Sequence, residues 1–303
     1  MRSRADPVNV ERVRSQRVRR ARLRALPHRT ILAMRRHDVL LYGAGVTFYA
    51  ALAVVPGLLV ATRLLSLVLG TSRMLALSVD LAAALPDQLG ADRVAAALLR
   101  EGIGISWTAV VIAVLPASLY GEGLRRAYAA LADADETLVG WRGRLAVLPM
   151  LAAAPVLLAA VLGITPLLAD LFSKGAGGVA LGVYIALNVD WIVVSLPLAW
   201  SFRIVAPDPP PWRFALVGGF VTGAFVAGFL QGFVLFLTMP LDLGAPFGGQ
   251  TAVGAVCAVL LWLWVLHLVV LTGWCGTREA VRAWAQPVSS GRSRTLGSPA
   301  SAR

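Results

Sequence analysis

The chain has 303 residues, of which 58% are hydrophobic and only 15% are charged. An ordinary soluble domain has about 25% charged residues, and without them a chain of this length cannot cover its core with polar surface. The composition therefore excludes a soluble globular protein and predicts an all-α integral membrane protein. The two cysteines, Cys257 and Cys275, lie in one apolar block at a spacing that prevents pairing within a helix, and no disulfide framework is expected.

Residues 1–38 form a strongly basic segment that contains 12 arginines. We expect this arm to be mostly disordered, to fix the orientation of the first membrane span and to contact anionic lipid headgroups. The alternative for residues 12–29 is a nucleic-acid-binding arm. No RNA-binding fold or stacking aromatic residues accompany the arm, so we expect no specific nucleic acid as a partner.

Six apolar blocks are long enough to cross a bilayer as helices, which takes about 20 residues each. The alternating pattern of a β-barrel strand is absent from the sequence. The predicted spans cover about 39–69, 102–121, 145–169, 177–202, 214–237 and 252–276. They divide the chain into the arm, a membrane domain over 39–277 and a tail over 278–303.

The distribution of arginine and lysine predicts that both termini face the cytoplasm. The side of the spans that carries the termini holds 23 of these residues, and the other side holds five. Cytoplasmic loops are enriched in positive charge, and this asymmetry sets the orientation of the chain.

Two connections are predicted to be amphipathic interfacial helices, one after the first span and one after the second. Residues 73–101 contain two helical stretches divided at Pro86. Residues 121–138 place Leu124, Tyr128 and Leu131 on one face and charged residues elsewhere.

Pro56 lies well inside the first span. A proline inside a helix removes a backbone donor and favours a kink. Pro56 is therefore a candidate hinge, and the alternative is a role in packing alone.

The fourth span carries Asp190 as its only charged residue. Gly178, Gly182 and Ala186 precede it at four-residue spacing, so the carboxylate shares a face with small residues that favour close helix packing. An acid inside a membrane is costly, and it is a functional candidate for that reason.

Two interpretations of Asp190 remain open. In the first, it lines a polar path together with Asn188 and with Gln231 of the fifth span, coupled to a substrate or a proton. Alternatively, it is a structural acid that joins helices through a hydrogen bond with Thr47, Gln231 or His267.

The fifth span contains two rows of small residues at four-residue spacing, which is typical of helix contacts in membranes. The first row is Ala215, Gly219, Gly223 and Ala227, and the second row is Ala224, Gly228 and Gly232.

Enzyme motifs are absent from the sequence. The three histidines, His28, His37 and His267, form no pattern with cysteine or acidic residues at metal-ligand spacing, and serine-hydrolase and P-loop patterns are missing. We therefore expect no enzymatic activity, no cofactor and no metal site.

Four segments taken in order resemble the YihY/BrkB family of bacterial inner-membrane proteins over roughly residues 30–285. They are GAGVTFYAALAVVPGLLV (43–60), SLYGEGLRRAYAALADAD (118–135), RIVAPDPPPWRFALVGGFVTGAFV (203–226) and PFGGQTAVGAVCAVLLWLWV (246–265). The resemblance implies a multi-pass protein of the bacterial inner membrane. Members carry labels of ribonuclease BN, virulence and serum resistance, and lipid export has been proposed for the family.

The chain departs from the family pattern at two places. Members often end the sixth span with a small residue and an acid, whereas this chain has Trp274 and Cys275 there and its nearest acid is Glu279. The serine usual before the first-span proline is replaced by Ala53 and Val54.

The leading functional hypothesis is movement or organisation of an envelope lipid or other amphiphile. In this hypothesis the fourth and fifth spans frame the path, Asp190 is its polar point and Pro56 is the hinge. A scaffold for envelope machinery that transports nothing is the alternative, and a ribonuclease is the least favoured. Membrane lipids are the expected partners, and homo-oligomerisation is left open.

Overall fold

The structure, a computed structural model, describes residues 21, 24–85, 90–135 and 139–285. The described residues are almost entirely helical and include no strand. The α-helices are α1 (Leu26–Arg35), α2 (Val39–Leu69), α3 (Thr71–Ala84), α4 (Ala91–Gly104), α5 (Trp107–Ala132), α6 (Val139–Phe172), α7 (Ala176–Trp200), α8 (Trp212–Leu237) and α9 (Thr251–Ala285). A π-helical turn (Ser201–Val205) extends α7, and a short 3-10 helix (Ala245–Phe247) precedes α9.

Six of these helices, α2 and α5–α9, are long and apolar enough to cross a membrane. They form a bundle in which α2 packs against α5, α5 against α6 and α7 against α8. We call the end of the bundle that holds α1 and the C-terminal part of α9 the terminal end, and the other end the opposite end. The predicted multi-pass helical fold is therefore confirmed.

Helix α5 differs from the prediction because it is a single helix from Trp107 to Ala132. The predicted break near Gly121 is absent, and the residues assigned to an interfacial helix continue the second span. Gly121 serves close packing instead: a Cβ atom there would overlap the carbonyl oxygen of Gly143 in α6. Glu122 and Arg125 of this stretch are buried and hydrogen-bonded within the bundle, so this part of α5 does not have the charged face of a surface helix.

Helices α3 and α4 occupy most of the region predicted to hold two amphipathic helices, and Pro86 lies outside the described residues. They pack on the opposite end of the bundle through buried apolar side chains. This cluster contains Leu65, Met74, Leu77, Leu99, Ile103 and Leu162. Arg63 donates a hydrogen bond to the carbonyl of Ile103 at 2.7 Å and fixes the end of α4 against α2.

Helix α1 lies within the arm that was predicted to be mostly disordered, and it packs against α9. Arg29 of α1 forms an ion pair with Glu279 of α9, with 3.3 Å between Nε and Oε2. Residues 1–20 of the arm and residues 286–303 of the tail lie outside the described residues.

Three fully buried aromatic rings fill the bundle near the terminal end. Tyr128 stacks on Trp274 with 4.7 Å between ring centroids and meets the edge of Phe202 at 6.2 Å. These rings come from α5, α9 and the π-helical turn, so they connect three separate parts of the chain.

Candidate functional site

A central cavity of about 460 Å³ lies inside the bundle. Residues of α2, α5, α6, α7, α8 and α9 line it, together with the π-helical turn. The described residues that form its wall include no aspartate, glutamate, lysine or arginine. Its size falls in the range of about 300–1,000 Å³ that is typical of small-molecule sites.

The main polar feature of the cavity wall is a hydrogen-bonded chain of Thr47, His267 and Tyr120. His267 Nε2 lies 3.3 Å from the Tyr120 hydroxyl, and Nδ1 lies 3.2 Å from the Thr47 hydroxyl. Nδ1 also lies 2.6 Å from the carbonyl oxygen of Leu263. His267 and Tyr120 line the cavity, so their helices α9 and α5 carry its polar wall.

Glu122 is a buried acid at the terminal end, where α5 meets the start of α6. Its carboxylate accepts hydrogen bonds from Arg126 Nη2 and from Arg144 Nε, both at 2.7 Å. The Glu122 side chain is only 8% exposed. Two guanidinium groups therefore compensate one buried carboxylate.

Glu279 is the second buried acid at this end. Besides the ion pair with Arg29, its Oε1 accepts a hydrogen bond from Arg282 Nη1 at 2.7 Å. The structure thus gives the acid nearest the family's carboxylate position a paired, structural environment between α1 and α9.

Two buried arginines complete the terminal end. Arg125 Nη1 donates to the carbonyl of Val205 at 2.6 Å. Arg278 donates to the carbonyl of Leu131 at 3.0 Å and lies over the ring of Trp274 at 4.9 Å. Arg125 thereby connects α5 to the end of the π-helical turn, and Arg278 connects α9 to the end of α5.

The end of α5 is held by an ion pair between His37 and Asp133. His37 Nε2 lies 3.0 Å from Asp133 Oδ1, and this hydrogen bond lowers the pKa of the exposed Asp133 carboxyl. Asp133 has φ 52°, a left-handed conformation that aspartate tolerates at the end of a helix.

The structure brings two of the three predicted polar-path residues together. Gln231 Nε2 of α8 donates to Asp190 Oδ2 of α7 at 2.7 Å, and both residues are half-buried. Asn188 donates to the carbonyl of Tyr184 in its own helix at 2.7 Å. None of the predicted polar-path residues is among those that line the central cavity.

The first row of small residues in α8 packs against α7. A Cβ atom at Gly219 would lie 2.6 Å from the backbone nitrogen of Ala199, and one at Gly223 would overlap the hydroxyl of Ser195. In the second row, Gly232 lies near the ring of Trp262, whereas a Cβ atom at Gly228 would meet no atom within 4 Å. The first row therefore meets a helix of the same chain.

The other predicted packing and hinge residues lie elsewhere. Gly178 and Gly182 contact the end of α6, at the carbonyl of Leu171 and the ring of Phe172. Pro56 is half-buried inside α2, which continues on both sides of it. Its neighbour Gly57 lines the cavity.

The contact between Tyr120 and His267 was not predicted from the sequence, where His267 was considered as a possible partner of Asp190. One signal could have found Tyr120, because it precedes Leu124 and Tyr128 at four-residue spacing on the same face of one helix. No such signal connects Tyr120 with His267, which is 147 residues away.

The cavity wall carries few polar groups. Across residues 24–85, 90–135 and 139–285, no group of three or more histidine, cysteine, aspartate or glutamate residues is placed to hold a metal ion. The wall offers an apolar surface with a few neutral polar atoms.

Comparison with known proteins gives one match, to a family. No curated protein and no solved structure matches the chain. The family model described as Virulence factor BrkB matches residues 30–291, which is most of the chain. The chain therefore belongs to the BrkB virulence factor family (YihY/BrkB).

Proposed function

We propose that this protein moves or organises an envelope lipid or other amphiphile, and that the central cavity holds the apolar chain of that molecule. The observation that carries the proposal is the size of the cavity combined with its uncharged wall. The cavity is partly open, and Val54 in its wall is 52% exposed, so it can be reached from outside the bundle. An apolar wall that faces an unfilled space forgoes packing contacts, which costs free energy.

An apolar guest removes that cost. In a membrane the most abundant guests of suitable chemistry are lipid chains, which contact the protein surface on every side. The path of the proposed function therefore follows the cavity, and Asp190 is left with the role of joining α7 to α8 through Gln231.

The proposal is tested by photolabelling the purified protein in liposomes with a diazirine-bearing phospholipid and mapping the labelled residues. We expect labelled residues in the cavity wall. Ala154→Trp places a large ring in the cavity and should reduce this labelling to background. Ala152→Trp is the matched control, because Ala152 is exposed on the same helix and does not line the cavity.

Transport and scaffolding differ in a second measurement, the movement of a fluorescent phospholipid between the two leaflets of the same liposomes. Transport predicts movement that depends on the protein and is lost in Ala154→Trp. Labelling without movement would favour the scaffold. Absence of labelling in the cavity would remove the proposal itself.

A further inference from the structure

The polar side chains of the cavity wall already donate their hydrogens to acceptors within the protein. They therefore have no free hydrogen to offer to a bound molecule. The lining residues with polar side chains are Tyr120, Trp200, Ser201 and His267. Trp200 Nε1 donates to the carbonyl of Ala146 at 2.9 Å, and the Ser201 hydroxyl donates to the carbonyl of Leu198 at 2.9 Å.

The tautomer of His267 follows from its partners. Nδ1 lies 2.6 Å from the carbonyl oxygen of Leu263, which can only accept, so Nδ1 carries the hydrogen. The Thr47 hydroxyl donates its own hydrogen to the carbonyl of Gly43 at 2.8 Å and faces Nδ1 with a lone pair. His267 is buried and no carboxylate is among the described residues that line the cavity beside it, so the ring is neutral and Nε2 is an acceptor.

The orientation of Tyr120 follows in turn. Its hydroxyl is the group that lies next to Nε2, at 3.3 Å, and it satisfies this acceptor by donating its single hydrogen. The Tyr120 oxygen keeps its lone pairs. The hydrogen-bonded chain runs from Leu263 through His267 to Tyr120. It therefore presents the Tyr120 oxygen to the cavity as a hydrogen-bond acceptor.

Two prolines add further acceptors to the same region. Pro155 and Pro197 lie inside α6 and α7 and have no amide hydrogen, so the carbonyls of Leu151 and Val193 lack their usual helical donors. Leu151 and Val193 both line the cavity.

We infer that the cavity selects an uncharged amphiphile that carries a hydrogen-bond donor, and specifically a lipid alcohol whose hydroxyl donates to the Tyr120 oxygen. This inference rests on the proposed function, because it names the class of molecule that the cavity takes. A charged headgroup has no counter-ion among the described lining residues, so a phospholipid can place only its apolar chain in the cavity, whereas an alcohol can place its hydroxyl there as well. An ether or ester oxygen would face acceptors only, unless Tyr120 turned its hydrogen away from His267 and left Nε2 without a donor.

The test compares two probes that differ only in the donor: a diazirine-bearing hexadecan-1-ol and its O-methyl ether. The purified full-length protein is photolabelled with each probe in detergent. The yield of labelling at the cavity wall is then divided by the yield at Val156, which is 71% exposed on the outside of α6. This ratio corrects for the different partition of the probes into micelles. We expect the alcohol to exceed the ether by roughly three- to tenfold, the value of one net hydrogen bond.

His267→Leu assigns the effect to Tyr120. Without Nε2 the Tyr120 hydrogen becomes free to meet an ether oxygen, and the alcohol-to-ether ratio should fall to about one. Tyr49→Phe is the matched control, because it removes a tyrosine hydroxyl from outside the cavity lining and should leave the ratio unchanged.

The outcomes separate the inference from the proposed function. Equal labelling of the cavity by alcohol and ether in the wild-type protein would overturn the inference and leave the proposed function standing. The inference would also be overturned by an unchanged ratio in His267→Leu. If neither probe labels the cavity, the proposed function fails with it.

Discussion

The terminal end of the bundle and the wall of the central cavity both bury polar groups, but they do so with different chemistry. At the terminal end, the carboxyl groups of Glu122 and Glu279 each pair with two arginine side chains. At the cavity wall, Tyr120 and His267 are neutral and are joined by a single chain of hydrogen bonds. The aromatic rings of Tyr128, Phe202 and Trp274 pack against one another near the terminal end.

The difference shows where this fold can accommodate charge. Burial of a carboxylate is tolerated only where enough donors converge on it, and the segment ends at the terminal end supply arginines and carbonyl groups in one place. The middle of the bundle offers no such convergence. Its wall is built from groups whose hydrogen bonds can be closed within one or two helices, which leaves the cavity uncharged and suited to a hydrocarbon chain.

The largest expected effect is the loss of Glu122. Glu122→Ala leaves the guanidinium groups of Arg126 and Arg144 without their acceptor at the terminal end. We expect the free energy of unfolding to fall by about 1–3 kcal/mol, because the carboxylate is buried whereas the two arginine side chains are 56% and 33% exposed. Chemical denaturation of the purified protein in detergent, followed by circular dichroism, measures this change.

Asp170→Ala is the control for that experiment. Asp170 pairs with Lys174 at the end of α6, and its side chain is 55% exposed. Such surface pairs contribute about 0–1 kcal/mol. If the two variants lose similar stability, burial does not increase the contribution of Glu122 to stability. The contrast between the two regions would then be wrong.

Tyr120→Phe should have a smaller effect because it removes one neutral hydrogen bond and keeps the ring. We expect a loss of about 1 kcal/mol in the free energy of unfolding. The same denaturation assay applies. A loss as large as that of Glu122→Ala would mean that the cavity wall is as tightly coupled to folding as the terminal end.

Asp133 gives a weaker, pH-dependent effect at the exposed edge of the terminal end. Its pKa is lowered in the folded protein by the hydrogen bond from His37, so its contribution is present above the unfolded pKa, about 3.9. The contribution is lost as the pH falls through the lower folded value. Asp133→Asn should therefore be slightly less stable than the wild type at pH 6, with the difference disappearing at acid pH.

The melting temperatures of both proteins at several pH values check this prediction. Asp135→Asn is the control, since Asp135 is an exposed neighbour beyond the end of the helix. A difference that is independent of pH would contradict the assignment to the His37–Asp133 pair.

The smallest expected effect concerns Asp190, which belongs to neither region. In a protein with Cys257→Ser and Cys275→Ala, we expect Asp190→Cys to remain unlabelled by a membrane-impermeant thiol reagent from either side. The reason is that Asp190 is engaged by Gln231 between α7 and α8 and lies outside the cavity lining. Ser173→Cys, in the exposed connection between α6 and α7, should be labelled.

Labelling of Asp190→Cys in a folded protein would contradict the assignment of the path to the central cavity. It would establish a water-filled path beside α7 and α8, and the proposed path would move from the central cavity to the polar residues named from the sequence. Val156→Cys, exposed on the outside of α6, provides the baseline for a position that faces lipid.

The hydrophobic blocks predicted the six long helices well because a bilayer imposes one simple requirement on each of them. The first span ends at Leu69 as expected, and the fifth ends at Leu237. The boundary at Gly121 was predicted poorly. A glycine that ends a helix and a glycine that admits a neighbouring backbone look the same in a sequence, and only the position of Gly143 distinguishes them.

The candidate site was harder to predict, and the reason is again physical. Asp190 stands out in the sequence because a charge in an apolar run is rare and costly. Tyr120 and His267 do not stand out, because each is an ordinary residue in its own helix. Their significance comes from a distance of 3.3 Å between side chains on two helices that are remote in the chain.

The sequence by itself determined the number of long apolar helices, since burial of the backbone in lipid depends on local apolar composition. It also determined the family, through short motifs in a fixed order. Only the tertiary structure decided which polar groups meet, where the charges are neutralised and where the packed helices leave an open volume. Those properties depend on contacts between distant segments, and a cavity is the space that such contacts fail to fill.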